Sequence, residues 1–308
     1  MSKKLVSLLL AAVMLLAAFP AAAESGGITV TDMADRTVTL AAPASRIVVL
    51  MPSDCEILFA IGAGDAIVGR GTYCDYPEET ASIDSVGSGY ELNEEQIIAL
   101  DPDLVIMTKM GHTEDQVNGL TDAGITVLVT DAQTIADTYD CIALLGSVTG
   151  RTAEAEAVVE DMKTRLDAIA AAVKSSGLTV YFETTPLEYG YGLWSAGQGN
   201  FMDEIGTLCG LQNIFGGVEE AWPMVSEEDV IAADPDLIIT INSNGMGETD
   251  AAQVILAREA WQGMKAVQEN KVLIVGSDEF SRPGPRLADA AEELYQLIYG
   301  EEAEDPAA

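Results

Sequence analysis

Short apolar runs alternate along this chain with segments whose apolar residues recur every three to four positions. The runs 46–50, 104–107 and 178–182 are dominated by Val, Ile, Leu and aromatic residues. Continuous apolar runs of this length are typical of strands buried on both faces of a parallel sheet. Helical segments at 56–61 and 201–209 follow two of these runs, and each is closed by a glycine. The alternation predicts an α/β fold with mainly parallel sheets.

An internal repeat organises this pattern. The sequence at 92–106, LNEEQIIALDPDLVI, returns at 225–239 as VSEEDVIAADPDLII, 133 positions later. In each copy an N-cap residue, Asn93 or Ser226, precedes acidic residues that favour the start of a helix. An Asp-Pro pair then ends the helix, and an apolar strand follows. The repeat predicts two similar lobes that arose by duplication.

The segment between the repeats predicts one long helix. Apolar residues recur there at helical spacing: Val158, Met162, Leu166, Ile169 and Val173. A helix over 152–174 is roughly 33 Å long at 1.5 Å per residue, enough to run along both lobes. We therefore predict an N-terminal lobe at 24–150, a bridging segment at 151–176 and a C-terminal lobe at 177–300. Since this bridge is not a flexible Gly/Ser linker, we expect only modest motion between the lobes.

The first residues predict export. Lys3 and Lys4 precede an apolar run at 5–18, and small residues at 21–23 provide a cleavage site. This layout is typical of a signal peptide, here residues 1–23, and the run is shorter than the ~20 residues of a spanning helix. The segment contains no cysteine for acylation, so we expect a free periplasmic or extracytoplasmic protein; retention of the leader as an anchor is the alternative. We expect the acidic tail at 301–308 to be disordered.

Charge excludes one class of partner. The chain has 15 basic and 50 acidic residues, a net charge of −35. A surface of that sign repels nucleic acid and anionic lipid, so no nucleic-acid partner is expected. The length of about 285 residues after the leader exceeds what one hydrophobic core organises, in agreement with two lobes in one monomer.

Cysteine and histidine narrow the chemistry further. The four cysteines, Cys55, Cys74, Cys141 and Cys209, form no C-x-x-C pair, and small buried thiols are the expectation. One disulfide is possible in an oxidising compartment, with the pairing left open. A single histidine, His112, is too few for a bare transition-metal receptor. Because nucleophile elbows, phosphate loops and zinc ligand sets are absent from the sequence, an enzyme is the least favoured functional hypothesis.

Aromatic residues mark the loops that follow the predicted strands. The candidate ligand-binding residues are Tyr73, Tyr90, Lys109, Trp194, Trp222, Asp278 and Arg282. We expect Tyr76 and Phe201 to pack in the core instead. Many aromatic residues with few cations favour a large, flat, weakly charged ligand held by stacking and apolar contact.

Taken together, the chain resembles the iron-siderophore and vitamin B12 class of ABC-importer binding proteins. The segments that carry the resemblance are Arg46-Ile-Val-Val-Leu-Met-Pro-Ser53, Glu56-Ile-Leu-Phe-Ala-Ile-Gly62, Gly71-Thr-Tyr-Cys-Asp-Tyr-Pro77, both Asp-Pro-Asp-Leu units, Trp222-Pro-Met-Val-Ser226 and Ser281-Arg-Pro-Gly-Pro-Arg286. Members have two α/β lobes bridged by a long helix, with the ligand in the cleft between them. The resemblance also implies that Glu95 and Glu228, at equivalent places in the repeat, pair with arginines of a dimeric permease.

The resemblance favours a corrinoid among the metal chelates that the class captures. Tyr73, Trp194, Trp222, Asp278 and Arg282 match the ligand-contacting positions of cobalamin-binding members, whereas those members carry tryptophan near Tyr90 and at Thr108. A ferric siderophore is one alternative. Haem is another, with a tyrosine or His112 on the iron. No cofactor beyond the cobalt or iron chelate itself is expected.

Overall fold

The computed structural model describes residues 27–88, 92–173, 176–241 and 250–300 of the 308-residue chain. The predicted signal peptide, the acidic tail and the candidate Tyr90 lie outside the described residues. None of the described helices is both long and apolar enough to span a bilayer.

Strands and helices alternate through both halves of the described chain. The strands are β1 (Ile28–Thr31), β2 (Thr37–Leu40), β3 (Ile47–Val49), β4 (Ile67–Arg70), β5 (Leu104–Thr108), β6 (Val127–Thr130), β7 (Thr179–Glu183), β8 (Leu193–Trp194), β9 (Gln212–Asn213), β10 (Met224–Val225), β11 (Leu237–Ile241) and β12 (Val272–Val275). The helices are α1 (Pro52–Ala60), α2 (Glu94–Ala99), α3 (Glu114–Asp122), α4 (Ile135–Thr149), α5 (Thr152–Ala172), α6 (Phe201–Leu208), α7 (Glu227–Ala233), α8 (Ala251–Leu256), α9 (Lys265–Gln268), α10 (Ser277–Ser281) and α11 (Leu287–Tyr299).

Two four-stranded sheets form the centres of the two lobes. The N-terminal sheet has the order β4-β3-β5-β6, and the C-terminal sheet has the order β9-β7-β11-β12. All pairings within these two sheets are parallel. Numbered within its own lobe, each sheet therefore has the strand order 2-1-3-4. The predicted fold class of two similar α/β lobes with mainly parallel sheets is confirmed, and the identical order agrees with a duplication. Two short antiparallel pairs, β1–β2 and β8–β10, flank the sheets.

The Asp-Pro-Asp unit of each repeat reverses the chain between helix and strand. Its first aspartate has a left-handed backbone, with φ of 49° at Asp101 and 44° at Asp234. Aspartate tolerates this conformation better than most residues because its short side chain forms local hydrogen bonds. The turn ends the helix and starts the third strand of the lobe in each copy.

The second aspartate of the unit fastens that third strand to the first. Asp103 Oδ2 accepts hydrogen bonds from the Ser45 backbone N–H and hydroxyl, both at 2.9 Å, and Asp103 Oδ1 accepts from the Arg46 N–H at 3.0 Å. In the other lobe Asp236 Oδ2 accepts from the Thr179 N–H at 2.8 Å and its hydroxyl at 2.9 Å. The most nearly identical part of the repeat therefore has a structural role, since it sets where neighbouring strands begin.

The bridging helix is α5, which ends at Ala172 instead of the expected 174. Val173 is extended, with φ −65° and ψ 128°, and residue 174 lies outside the described chain. The 21-residue helix is about 31 Å long. It contacts α4 of the N-terminal lobe and α6 and α11 of the C-terminal lobe, which confirms that it runs along both.

One hydrophobic core continues from lobe to lobe through this helix. The core joins Ile47 and Leu145 to Met162 and Ile169 of α5, and these to Phe182 in the other sheet. Arg165 of α5 adds hydrogen bonds at 2.7 Å and 2.6 Å to the Glu292 carboxylate on α11. Because close-packed interiors resist deformation, the lobes are joined by a stiff connection.

We expect the Asp103→Asn substitution to destabilise the N-terminal lobe, because it places an amide NH₂ among backbone N–H donors. The free energy of unfolding should fall by about 1–3 kcal/mol, measured by urea denaturation. Asp101→Asn is the matched control, since asparagine also adopts the left-handed conformation and the Asp101 side chain is exposed. Equal losses of stability in the two variants would show that the turn, rather than the strand contact, dominates.

Candidate functional site

The carboxyl ends of the two sheets meet at the junction of the lobes. In parallel sheets the loops beyond these ends form the ligand sites. The cleft loops are defined here as residues 71–77 after β4, 109–112 after β5, 184–194 after β7, 216–224 after β9 and 276–286 after β12. They contain six of the seven candidate ligand-binding residues, all except Tyr90, which is not described.

An ion cluster joins the cleft loops across the two lobes. The carboxylate of Glu56, on α1, accepts hydrogen bonds from Arg282 Nη1 at 2.8 Å and from Arg286 Nε and Nη2 at 2.8 Å and 2.7 Å. Arg282 Nη1 also contacts Asp75 Oδ1 at 2.8 Å, and Arg282 Nη2 contacts Asp278 Oδ1 at 2.9 Å. We call these five residues the interlobe ion cluster. Two carboxylates of the N-terminal lobe are thereby tied to two arginines of the C-terminal lobe.

The ion cluster changes the interpretation of Arg282 as a ligand contact. Its side chain is 12% exposed, and its guanidinium is paired with three carboxylates. Burial raises the pKa of Asp278, whereas the neighbouring arginines lower it. Since the positive charge of Arg282 is already compensated, an anionic group on a ligand must compete with three protein carboxylates. The candidates Asp278 and Arg282 lie together, in an environment that favours a weakly charged ligand.

Large apolar side chains are exposed on cleft loops of both lobes. Tyr191, Met224, Tyr73 and Met110 are 75%, 65%, 64% and 50% exposed. Met224 pairs with Trp194 across β8–β10, and the Trp194 Nε1–H donates to the Tyr191 carbonyl at 3.0 Å. The two methionines were absent from the sequence-based candidates. Met110 lies next to the candidate Lys109, and Met224 lies two residues after the candidate Trp222. The loop position that identified those two candidates could therefore have identified the methionines as well.

Trp222 lies where the lobes touch. Its Nε1–H donates to Gln133 Oε1 of the N-terminal lobe at 2.9 Å, and its ring contacts Phe201 edge to face with centroids 5.6 Å apart. The ring is half-buried, and the expected core position of Phe201 is confirmed. Tyr76 was also expected in the core, and that prediction was wrong. It is 46% exposed: the Arg286 guanidinium covers one face of its ring, 4.1 Å from the centroid, and the ring is not enclosed by the apolar core.

Lys109 and His112 have protein partners in the N-terminal lobe. Lys109 Nζ pairs with Asp131 Oδ2 at 2.9 Å, and this contact raises the pKa of Lys109. His112 Nδ1 lies 3.1 Å from the Thr108 amide nitrogen and 3.0 Å from its carbonyl oxygen. The His112 Nε2 atom is buried without a partner among the described residues, and burial lowers the pKa of the ring. An iron ligand must expose its lone pair, so His112 is poorly placed for that role in this structure.

A buried carboxyl holds the start of α1 beneath the cleft. Asp54 Oδ2 lies 3.0 Å from the Thr130 hydroxyl at the end of β6, and Asp54 Oδ1 lies 3.6 Å from Cys141 Sγ. Burial raises the pKa of Asp54 to about 7, despite the opposing effect of these two hydrogen bonds. The contact fixes the helix that carries Glu56.

A second polar cluster fixes the aromatic loop of the C-terminal lobe. Buried Arg258 forms two hydrogen bonds to Glu183, at 2.6 Å and 2.8 Å, and two to Glu188, at 3.0 Å and 2.8 Å. Its guanidinium also lies over the Trp261 ring, 4.4 Å from the centroid. Because Glu188 belongs to the loop that leads to Tyr191, this cluster positions the exposed aromatic surface.

Glu95 and Glu228 are exposed on equivalent helices, α2 and α7. The preceding residue Glu227 accepts a hydrogen bond from Trp261 Nε1–H at 2.9 Å, so Glu227 is held against its own lobe while Glu228 faces solvent. The duplication therefore places one exposed carboxylate at the same position of each lobe. Within the described ranges, no three His, Cys, Asp or Glu side chains are grouped to hold a metal ion.

Comparisons with known proteins show that this chain is similar to binding proteins in both sequence and structure. A family model described as periplasmic binding protein matches residues 47–279. The uncharacterized ABC transporter substrate-binding lipoprotein YvrC of Bacillus subtilis is 32% identical, covering 88% of this chain and 85% of that protein. The vitamin B12-binding protein of Salmonella typhimurium is 31% identical, covering 83% and 90%. A solved periplasmic haem-binding protein of Pseudomonas aeruginosa is 27% identical with a TM-score of 0.72, covering 85% and 94%.

We expect Asp54→Asn to remove a pH dependence of stability. Folding raises the pKa of Asp54 from 3.8 to about 7, so the folded protein binds the proton more tightly. The free energy of unfolding should therefore fall as pH rises from about 4 to about 7. Asparagine at this position should raise the free energy of unfolding at pH 8 by on the order of 2–4 kcal/mol and change it little at pH 4.

Urea denaturation across this pH range provides the measurement for Asp54. The exposed Asp65→Asn variant is the control and should keep the wild-type profile. An unchanged pH profile in Asp54→Asn would contradict the raised pKa.

Proposed function

The chain belongs to the periplasmic binding protein family, and from this premise we propose that it is the extracytoplasmic substrate-binding component of an ABC importer. We propose that it acts as a monomer without turnover, captures one metal chelate between its lobes and delivers it to a permease. The exposed apolar side chains on cleft loops of both lobes are the observation that carries this proposal. An apolar surface of this kind is expected to bind a partner or a ligand.

The shape and charge of the site support a large, weakly charged ligand. Tyr73 and Met110 lie on the N-terminal lobe, whereas Tyr191, Trp194 and Met224 lie on the C-terminal lobe. Such side chains bind planar apolar surfaces by stacking and sulfur–aromatic contacts. The cations on the described cleft loops, Lys109, Arg282 and Arg286, are already paired with protein carboxylates. A polyanionic catecholate chelate is therefore disfavoured relative to a corrinoid.

Among the chelates we favour a corrinoid such as cobalamin. The vitamin B12-binding relative supports it, as does the pairing of each cation on the described cleft loops with a carboxylate. Haem is the second candidate, supported by the solved haem-binding neighbour, with an exposed tyrosine, Tyr73 or Tyr191, as the available iron ligand. A ferric hydroxamate, with few charges, is the form of siderophore that best fits the same surface.

Docking to the permease is proposed through Glu95 and Glu228. Both carboxylates are exposed and occupy equivalent places in the two lobes. Two such charges at fixed spacing set orientation and association rate more than affinity. Export through residues 1–23 completes the proposal. The lipoprotein designation of the Bacillus relative differs from the free form expected from the absence of a cysteine in this leader.

One equivalent of cyanocobalamin should bind to the purified protein and quench its tryptophan fluorescence. Trp194→Ala should weaken binding by roughly 5- to 100-fold, about 1–3 kcal/mol, if the indole is a stacking anchor. Haem and a ferric hydroxamate are titrated in parallel, with Leu297→Ala on α11 as an exposed apolar control away from the cleft. No saturable binding by any of the three chelates would overturn the proposed ligand class.

Replacing both docking carboxylates should separate transport from binding. Glu95→Gln with Glu228→Gln is expected to reduce uptake in a reconstituted permease at least 10-fold and to leave chelate affinity within about 2-fold, because the loss falls on association with the permease. Glu156→Gln, an exposed acid on the bridging helix, is the control and should retain uptake. A parallel loss of affinity in the double variant would instead assign these acids to the ligand site.

A further inference from the structure

We propose that Cys55 and Cys74 become joined by a disulfide bond when the protein folds outside the cytoplasm. The bond would fasten the cleft loop that carries Tyr73 to the helix that carries Glu56. This inference rests on the export that is part of the proposed function. It concerns a covalent modification that the ligand proposal does not require.

The two thiols are neighbours in the N-terminal lobe. Cys55 is on α1, and Cys74 follows it by 19 positions in the 71–77 loop. Both are fully buried in the same core, each thiol is free in the structure, and the nearby Cys74 thiol raises the pKa of Cys55. Cys74 Sγ also lies 3.9 Å from the Val49 carbonyl oxygen, at the end of the strand that leads into α1.

The ion cluster independently places these two backbone segments side by side. Glu56 directly follows Cys55, and Asp75 directly follows Cys74. Both carboxylates contact the same atom, Arg282 Nη1, at 2.8 Å each. A disulfide needs its two Cα atoms about 4.4–6.8 Å apart, and convergence on one guanidinium nitrogen agrees with such an approach.

The other two cysteines have different neighbours. Cys141 Sγ lies 3.6 Å from Asp54 Oδ1, and Cys209 Sγ lies 3.5 Å from the Ala291 carbonyl in the C-terminal lobe. Cys141 thus faces a carboxyl and Cys209 a carbonyl of the other lobe, which leaves Cys55 and Cys74 as the proposed pair.

The bond must form while the lobe is still folding. In the folded lobe the neighbouring thiol and burial raise the pKa of Cys55, so the nucleophilic thiolate is scarce and inaccessible. During folding, the Cys74 thiolate attacks a disulfide of the oxidant, forming a mixed disulfide and releasing one oxidant thiol. The Cys55 thiolate then attacks Cys74 sulfur and releases the second. The pair loses two protons and two electrons, and the oxidant, a disulfide-containing protein or glutathione disulfide, gains them.

The bond would restrict the cleft loop that contributes to both the site and the lobe junction. Cross-linking residues 55 and 74 constrains the unfolded chain and stabilises the folded lobe. It also limits how far Tyr73 and Asp75 can move when a ligand enters.

The test is peptide mapping of purified protein refolded in a mixture of reduced and oxidised glutathione, then alkylated in guanidinium. We expect label on Cys141 and Cys209, and a disulfide-linked peptide pair that contains Cys55 and Cys74. Label on all four cysteines, or a link with another pairing, would overturn the proposal. Refolding in vitro needs neither export nor ligand. The disulfide can therefore be absent from a protein that binds a chelate, and it can form in a protein that binds none, so the two proposals are tested separately.

Thermal unfolding provides a second readout. The oxidised wild-type protein should unfold on the order of 5 °C above its reduced form. The Cys141→Ser variant should keep that difference, whereas Cys55→Ser with Cys74→Ser should abolish it. Equal midpoints for oxidised and reduced wild-type protein would show that no stabilising bond forms.

Discussion

The pairing of the Glu56 carboxylate with Arg282 and Arg286 is the interaction on which the geometry of the site depends. A carboxylate that is 2% exposed is unfavourable unless its charge and lone pairs are satisfied. Both partners come from the opposite lobe, so the carboxyl ends of the two sheets must stay close. The bridging helix and the continuous core hold the other side of the junction. The spacing of the cleft loops is thus fixed by charge on one side and by packing on the other.

The frame of the protein, meaning its two sheets and the Asp-Pro-Asp turns, is duplicated, whereas the contacts around the cleft differ between the two lobes. Both sheets have the same strand order, and both Asp-Pro-Asp units bind the start of the neighbouring strand. The polar contacts beneath the cleft differ between the lobes: Asp54, whose pKa is raised by burial, anchors a helix in one, and the paired Glu183 anchors an aromatic loop in the other. The two lobes thus share the residues that define the frame and differ in the polar contacts that support the cleft loops.

The sequence predicts much of this frame because its signals are local. The repeat, the Asp-Pro stop and the periodicity of α5 each involve neighbouring residues, and the strands, the helices and the two-lobed arrangement followed from them. The ion cluster could not be predicted in the same way, since Glu56 and Arg282 are 226 positions apart and charge alone does not select a partner among 50 acids. The same limit applies to Tyr76, whose ring packs against Arg286, a residue distant in the sequence.

Hydrogen–deuterium exchange with a bound chelate tests most directly whether a ligand is held between the two lobes. The measurement compares the free protein with the protein saturated by whichever of cyanocobalamin, haem or a ferric hydroxamate binds at one equivalent. If the cleft loops of both lobes form the site, exchange should slow in 71–77 and in 184–194 together, with α5 unchanged because its packing is already rigid. Protection confined to one lobe, or centred on α5, would contradict capture between the lobes.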